Sequence, residues 1–299
     1  MVSLPILNPS SQSPQPGTHE KPPWLRVKAP SGETYTNLKR MLEHQRLHTV
    51  CHSAACPNMG ECWSAGTATF MILGNHCTRA CRFCDVLTSN KPPPVDLEEP
   101  TRLVEAAVNM GLKHVVITSV ARDDLKDGGA QQFVRCITAI RQELPEASVE
   151  VLVPDFKGEQ APIASVVEAA PDVFNHNIET VRRCTPKIRS GAMYDRSLDV
   201  LRKVKELDPN MKTKTGIMLG LGEKDEEVIE AIEDAKRANV DILSLGQYLQ
   251  PSPKHLPVAR YVHPNQFDAF AAHARKCGFS YVESGPLVRS SYHAEKAVD

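Results

Sequence analysis

The sequence predicts an α/β fold: a partial TIM barrel of six βα units, with N-terminal and C-terminal extensions packing across its open mouth. Two observations carry this expectation. From residue 67 onward, short β-branched apolar runs alternate with amphipathic helical patterns, six times over. Consecutive units of this kind imply right-handed crossovers and a curved parallel sheet. Six units also fall short of the eight that close a TIM barrel, so one side should stay open.

The expected strands are 67–73, 114–119, 149–154, 173–178, 213–219 and 242–249. Most are short apolar runs, as expected where a parallel strand is covered on both faces. The expected helices lie between them. The first is 97–110. The second, 130–144, places Phe133, Cys136, Ile137, Ile140 and Leu144 on one stripe. The third begins near 162. The fourth, 195–207, carries Leu198, Leu201, Val204 and Leu207 at core spacing. The fifth is 226–238, and the sixth, 264–277, is closed by Gly278. This divides the chain into an N-terminal extension (1–62, a mobile tail to about residue 23 and then a cysteine motif), a core (63–280) and a C-terminal tail (281–299).

The 299 residues are 41% hydrophobic and 24% charged, as in an ordinary globular protein. A formal net charge of −1 gives no electrostatic footprint for nucleic acid or an anionic membrane. No apolar run reaches the length of a membrane span. The first residues lack a basic segment followed by a long apolar one and are poor in arginine, which argues against a secretory or mitochondrial leader. The expected compartment is the cytoplasm, where thiols stay reduced.

Thiols dominate the chemistry. Cys77, Cys81 and Cys84 form one triplet directly after the first strand, and Cys51, Cys56 and Cys62 form another upstream. Disulfides are one reading of such clusters, but the total of nine cysteines is odd and pairs poorly. Soft-metal ligation is the other. Structural zinc and ferredoxin-type clusters usually take four protein ligands, and no fourth cysteine completes Cys-x3-Cys-x2-Cys by spacing. Three thiolates on a four-iron cluster leave one iron open to an outside ligand. An incomplete zinc knuckle is the alternative. For the upstream triplet, zinc completed by His52 or His48 is the alternative. Loops after the strands of such barrels line the site, so Cys77, Cys81 and Cys84 are expected at the mouth.

With Phe83 just before its last cysteine, the downstream triplet resembles the radical S-adenosylmethionine (SAM) superfamily. That resemblance implies a cluster whose open iron is chelated by SAM, and reductive cleavage to a 5′-deoxyadenosyl radical that removes hydrogen from unactivated carbon. It also implies SAM-binding roles for Phe83 and for Gly128 and Gly129 after strand two; the polar run at strand four, with Asn177 and Glu179, reads as a lining for SAM or substrate, with a satisfied polar core as the alternative. Cys-x4-Cys-x5-Cys ahead of Cys-x3-Cys-x2-Cys, with ITSVARDDLKDGG, VEVLVPDF, FNHNIETV, KTGIMLGLGE, GQYLQPS and the RSSY run Arg289–Tyr292, resembles the lipoyl synthase family from about residue 40 to 295. Ala121 and Cys184 are small departures.

The family resemblance implies two [4Fe-4S] clusters, the second held by Cys51, Cys56, Cys62 and Ser291. It implies a sulfurtransferase that inserts two sulfurs at C6 and C8 of an octanoyl group on a lysine of a lipoyl carrier domain. Two SAM cleavages are needed per product, and the second cluster is the sulfur source. The implied carriers are the glycine cleavage H protein and the E2 subunit of 2-oxoacid dehydrogenases. The implied helpers are an electron donor such as ferredoxin or flavodoxin and a cluster-repair protein. Cys136, Cys184 and Cys277 read as small hydrophobes rather than catalytic groups. A biotin-type sulfur-inserting synthase and a non-catalytic two-cluster electron carrier are the competing functions. The upstream triplet argues against the first, and the large chain with open-iron spacing against the second.

Overall fold

A computed structural model describes residues 21–26, 40–42, 44–45, 47–49, 58–64 and 67–297. Cys51, Cys56 and residues 1–20 of the tail expected to be mobile to about residue 23 lie outside the described residues. Six parallel strands follow one another in chain order: β1 (Thr67–Ile72), β2 (His114–Ser119), β3 (Ser148–Leu152), β4 (Val173–Asn175), β5 (Lys212–Leu219) and β6 (Ile242–Gln247). Each is followed by a helix: α1 (Glu99–Asn109), α2 (Ala130–Glu143), α3 (Gln160–Glu168), α4 (Tyr194–Leu207), α5 (Asp225–Arg237) and α6 (Pro264–Cys277). A two-residue strand, His48–Thr49, pairs antiparallel with β1 at one edge. Among the described residues the sheet ends there and does not close.

Two boundaries differ from the sequence reading by more than two residues. The sheet does not stop at β6. A seventh strand, β7 (Tyr281–Gly285), pairs parallel with β6, so residue 281 begins a strand rather than a separate tail. The run Tyr-Val-Glu-Ser-Gly has one buried apolar residue, Val282, and so gives no apolar signal. It forms because the free edge of β6 supplies backbone partners. The strand expected over 173–178 is also shorter, because β4 ends at Asn175. The Ile178 N–H goes to Thr215 Oγ1, and Glu179 turns into the left-handed region at φ 63° before rejoining Ile217 by a single bridge.

The two sheet faces differ chemically. The outer face packs against the helices in two apolar clusters. One gathers Phe70, Ile117, Phe133, Ile137 and Phe174, and the other Leu219, Val228, Ile232, Leu243 and Phe270. Removing such side chains from water is the main stabilising term. The inner face is polar. By register it presents Thr67, Thr69, Thr118, Glu150, Asn175, Lys214 and Ser244, all buried. Buried polar groups cost free energy unless partnered, and at the centre of this face three of them partner one another. Lys214 Nζ meets Glu150 Oε2 at 2.9 Å, and Asn175 Nδ2 donates to Glu150 Oε1 at 2.8 Å.

The extensions meet each other at the opening. Asn58 Nδ2 donates to the Leu287 carbonyl at 2.7 Å, and the Tyr292 hydroxyl donates to Glu61 at 3.2 Å. The last residues then run down the inner face, where Thr67 Oγ1 donates to Glu295 at 3.1 Å and Ala297 packs with Val173 and Ile242.

Candidate active site

The loop that follows β1 carries Cys77, Cys81 and Cys84, all half-buried. Leaving β1, the chain turns through Leu73 in the left-handed region (φ 66°). The buried Glu99 carboxylate at the start of α1 fixes this turn, accepting from Leu73 N at 2.9 Å and Gly74 N at 3.4 Å. The loop is then tied to its neighbours on every side. Thr78 donates through both N and Oγ1 to the Ala121 carbonyl, and its hydroxyl accepts from Asp123 N at 3.0 Å. A backbone oxygen does this work, which explains why Ala121 needs no polar side chain. Arg82 N donates to Ile188 O, and Leu256 N to Arg82 O. His255 Nε2 lies 3.1 Å from the Cys84 carbonyl.

Arg79, between the first two cysteines, is the strongest tie. Its guanidinium donates to both oxygens of Asp123 at 2.7 and 2.8 Å and to Asp155 at 2.6 Å. Arg196 holds the other Asp155 oxygen at 2.8 Å. Asp155 is fully buried, which would raise its pKa, but Arg79 and the neighbouring cations hold it down at about 2. The loops after β1, β2 and β3 are therefore clamped into one rim. Burial pushes the Cys84 thiol up to about 12 and raises that of Cys81, although Arg189 pulls the latter back. A cation bound to sulfur is what would make such buried thiols thiolates.

The other expected residues surround this loop. Phe83 packs on the second apolar cluster. Gly129 (φ 92°) starts α2, and a Cβ there would lie 2.3 Å from Leu73 Cδ1. At Gly128 (φ 61°) a Cβ would lie 2.9 Å from Phe156. The pair is thus required by a tight turn packed under the cysteine loop. Asn177 Nδ2 donates to Glu179 Oε1 at 3.2 Å. Burial raises the Glu179 carboxyl, with Arg189 and Asn177 opposing. Arg189 is itself buried and donates to Ile178 O and Ser197 Oγ. His176 Nδ1 is bonded to Val153 O, while its Nε2 is buried with no partner, as are Ser119 Oγ and Asn175 Oδ1.

Two of the four residues expected to hold a second cluster lie in the described part. Cys62, on the short helix Met59–Ser64, and Ser291 line one small, open pocket with Asn58, Thr69 and Arg289. They are far apart in the chain and come together because the extensions dock on each other.

The cysteine loop offers three soft donors at the strand ends and orphaned polar atoms below it, which suits an iron–sulfur cluster with a polar ligand beside it. Among the described residues no trio of His, Cys, Asp or Glu already converges on one point. The fit therefore rests on donor chemistry and position. The sequence reading missed Glu99, Arg79, Asp155, Arg189 and His255. Arg79 was visible only as a cation inside the motif, and its partners lie 44 and 76 positions away.

Residues 71–235 match the family model described as the radical SAM superfamily, and residues 10–56 match the N-terminal domain of lipoyl synthase. The chain is 54% identical over 283 residues to a lipoyl synthase of Rubrobacter xylanophilus, covering 95% of this chain and 88% of the relative. This chain belongs to the lipoyl synthase family. A lipoyl synthase of Bacillus mycoides is 55% identical over 279 residues, covering 93% of each chain. Among solved structures, methylornithine synthase matches with a TM-score of 0.55 at 14% identity, over 84% of this chain and 79% of its own. The [FeFe]-hydrogenase maturase HydG matches with a TM-score of 0.56 at 15% identity, over 90% and 68%. These likenesses concern the fold alone. Cys184, in a stretch that often carries leucine in the family, is buried in the second apolar cluster. Cys136 is fully buried in the first cluster, and burial raises its thiol.

Proposed function

We propose that this chain forms the protein-bound lipoyl group by inserting sulfur at C6 and C8 of an octanoyl chain amide-linked to a lysine of a lipoyl carrier protein. The observation that carries this is the meeting of Cys62 and Ser291 in one cavity between the extensions, beside a barrel whose mouth carries the Cys77–Cys84 loop. Cys77, Cys81 and Cys84 would hold a [4Fe-4S] cluster, which together with SAM would supply, by reductive cleavage, radical chemistry able to remove hydrogen from saturated carbon. Two such cleavages serve each product.

The chain's own residues hold and shield. Arg79 and Glu99 keep the cysteine loop at the rim. Gly128, Gly129, Phe83, Asn177 and Glu179 form the SAM-facing wall, with the Glu179 carboxylate oriented by the Asn177 amide. The second [4Fe-4S] cluster is a substrate, since it gives up its sulfur. Cys51, Cys56, Cys62 and Ser291 hold it. A serine oxygen is a harder ligand than a thiolate and a poorer match to iron–sulfur chemistry, so it suits an iron that must leave.

The glycine cleavage H protein and the E2 subunit of 2-oxoacid dehydrogenases are the proposed carriers. A ferredoxin or flavodoxin is the proposed electron donor, and a cluster-repair protein the agent that restores the donor. The cytoplasm, where thiols stay reduced, is the proposed compartment; no helix among the described residues is long and apolar enough to cross a membrane.

Iron and sulfide counts on anaerobically reconstituted protein test the assignment. About eight irons per chain are expected with two clusters, and about half that after Cys51, Cys56 and Cys62 are all replaced by alanine. Unchanged iron in the triple variant would overturn the upstream assignment. Parallel incubation with an octanoyl-lysine peptide and with dethiobiotin should consume only the peptide.

A further inference from the structure

Ser290 and Ser291 are neighbours, yet they serve different partners. Ser291 lines the cavity with Cys62. Ser290 Oγ accepts from Asn175 Nδ2 at 3.0 Å and donates to Asn177 Oδ1 at 3.2 Å. A hydroxyl can do both at once. Asn175 Nδ2 also reaches Glu150, which is paired with Lys214, and Asn177 Nδ2 continues to Glu179. The tail thereby joins an unbroken hydrogen-bonded row on the barrel's inner face, running from the buried ion pair to the SAM-facing wall.

We propose that Ser290 is a positioning residue: by pinning the tail to Asn175 and Asn177, it sets where the Ser291 oxygen stands relative to Cys62. The inference rests on the reading that Ser291 closes the sulfur-donating cluster. An oxygen ligand bonds iron–sulfur iron weakly, so its hold depends on placement more than a thiolate's does. Outer partners that orient a metal ligand commonly change metal affinity by about tenfold or more when removed. Asn58, on the Leu287 carbonyl, steadies the tail from the other side.

The test uses the full chain with Cys77, Cys81 and Cys84 replaced by alanine, so that only the second cluster forms. After anaerobic reconstitution, iron release to a chelator is followed. Ser290→Ala should release the first iron about tenfold faster than the parent and leave the later irons unaffected, a selectivity that general destabilisation does not produce. Ser290→Thr, which keeps the hydroxyl, should stay near the parent rate. A Ser290→Ala chain that loads no iron while Ser290→Thr loads normally supports the proposal equally. Release at the parent rate in Ser290→Ala, or equal loss in both variants, overturns it. A parent chain that binds no iron at all sinks the underlying reading, and the inference falls with it.

Discussion

Arg79 shows how one side chain sets the geometry of a whole loop. Its guanidinium is 9% exposed and its partner Asp155 is fully enclosed. Removing one member of such a buried pair leaves an uncompensated charge, at a cost of about 3–5 kcal/mol. Asp155→Asn should therefore lower the unfolding free energy by about 3 kcal/mol in urea titrations. It should also loosen the cysteine loop, so that SAM no longer perturbs the electron paramagnetic spectrum of the reduced cluster; an unchanged perturbation would remove the clamp from the account. Gly129 makes a second prediction. Alanine there meets both a positive φ and the Leu73 side chain, so Gly129→Ala should cost about 1–3 kcal/mol, again read by urea. These partnerships could not be read from the sequence. Cys77, Cys81 and Cys84 announce themselves by spacing, whereas Arg79 and Asp155 are ordinary charged residues until folding joins them.

At the scale of elements, the six βα units were legible because each strand is a short apolar run and each helix has an apolar stripe. The limits of legibility are physical. β4 shortens where side chains such as Thr215 replace ladder bonds. β7 has no apolar signature because its pairing comes from the free edge of β6. This yields a sharp prediction. A chain ending at residue 280 exposes the β6 edge and should aggregate on expression, whereas one ending at residue 286 should stay soluble and bind only the cluster at Cys77, Cys81 and Cys84. Solubility and iron counts distinguish the two. A soluble chain ending at 280 would show that β7 is dispensable.

Over the whole molecule, the polar barrel interior couples stability to pH. His176 is enclosed, and burial with the Arg189 charge lowers its pKa to about 4 from an ordinary 6.5. The unfolded chain binds this proton first, so stability is complete above about 6.5 and declines as pH falls toward 4. The decline from this group is at most about 3 kcal/mol. His176→Gln should flatten that limb in urea titrations at successive pH values, and an identical limb would assign it elsewhere. Asp155 acts lower, where its depressed pKa removes stability as pH falls from 3.8 toward 2. The same interior receives the tail, and the tail carries Ser291 to Cys62, so barrel, extensions and sulfur donor act as one object. The most direct test of that claim is isotopic. Protein reconstituted with heavy-isotope sulfide, then washed and given SAM, reductant and an octanoyl-lysine peptide in the presence of light sulfide, should yield a lipoyl peptide carrying two heavy sulfurs by mass spectrometry. Light sulfur at either carbon would contradict the account.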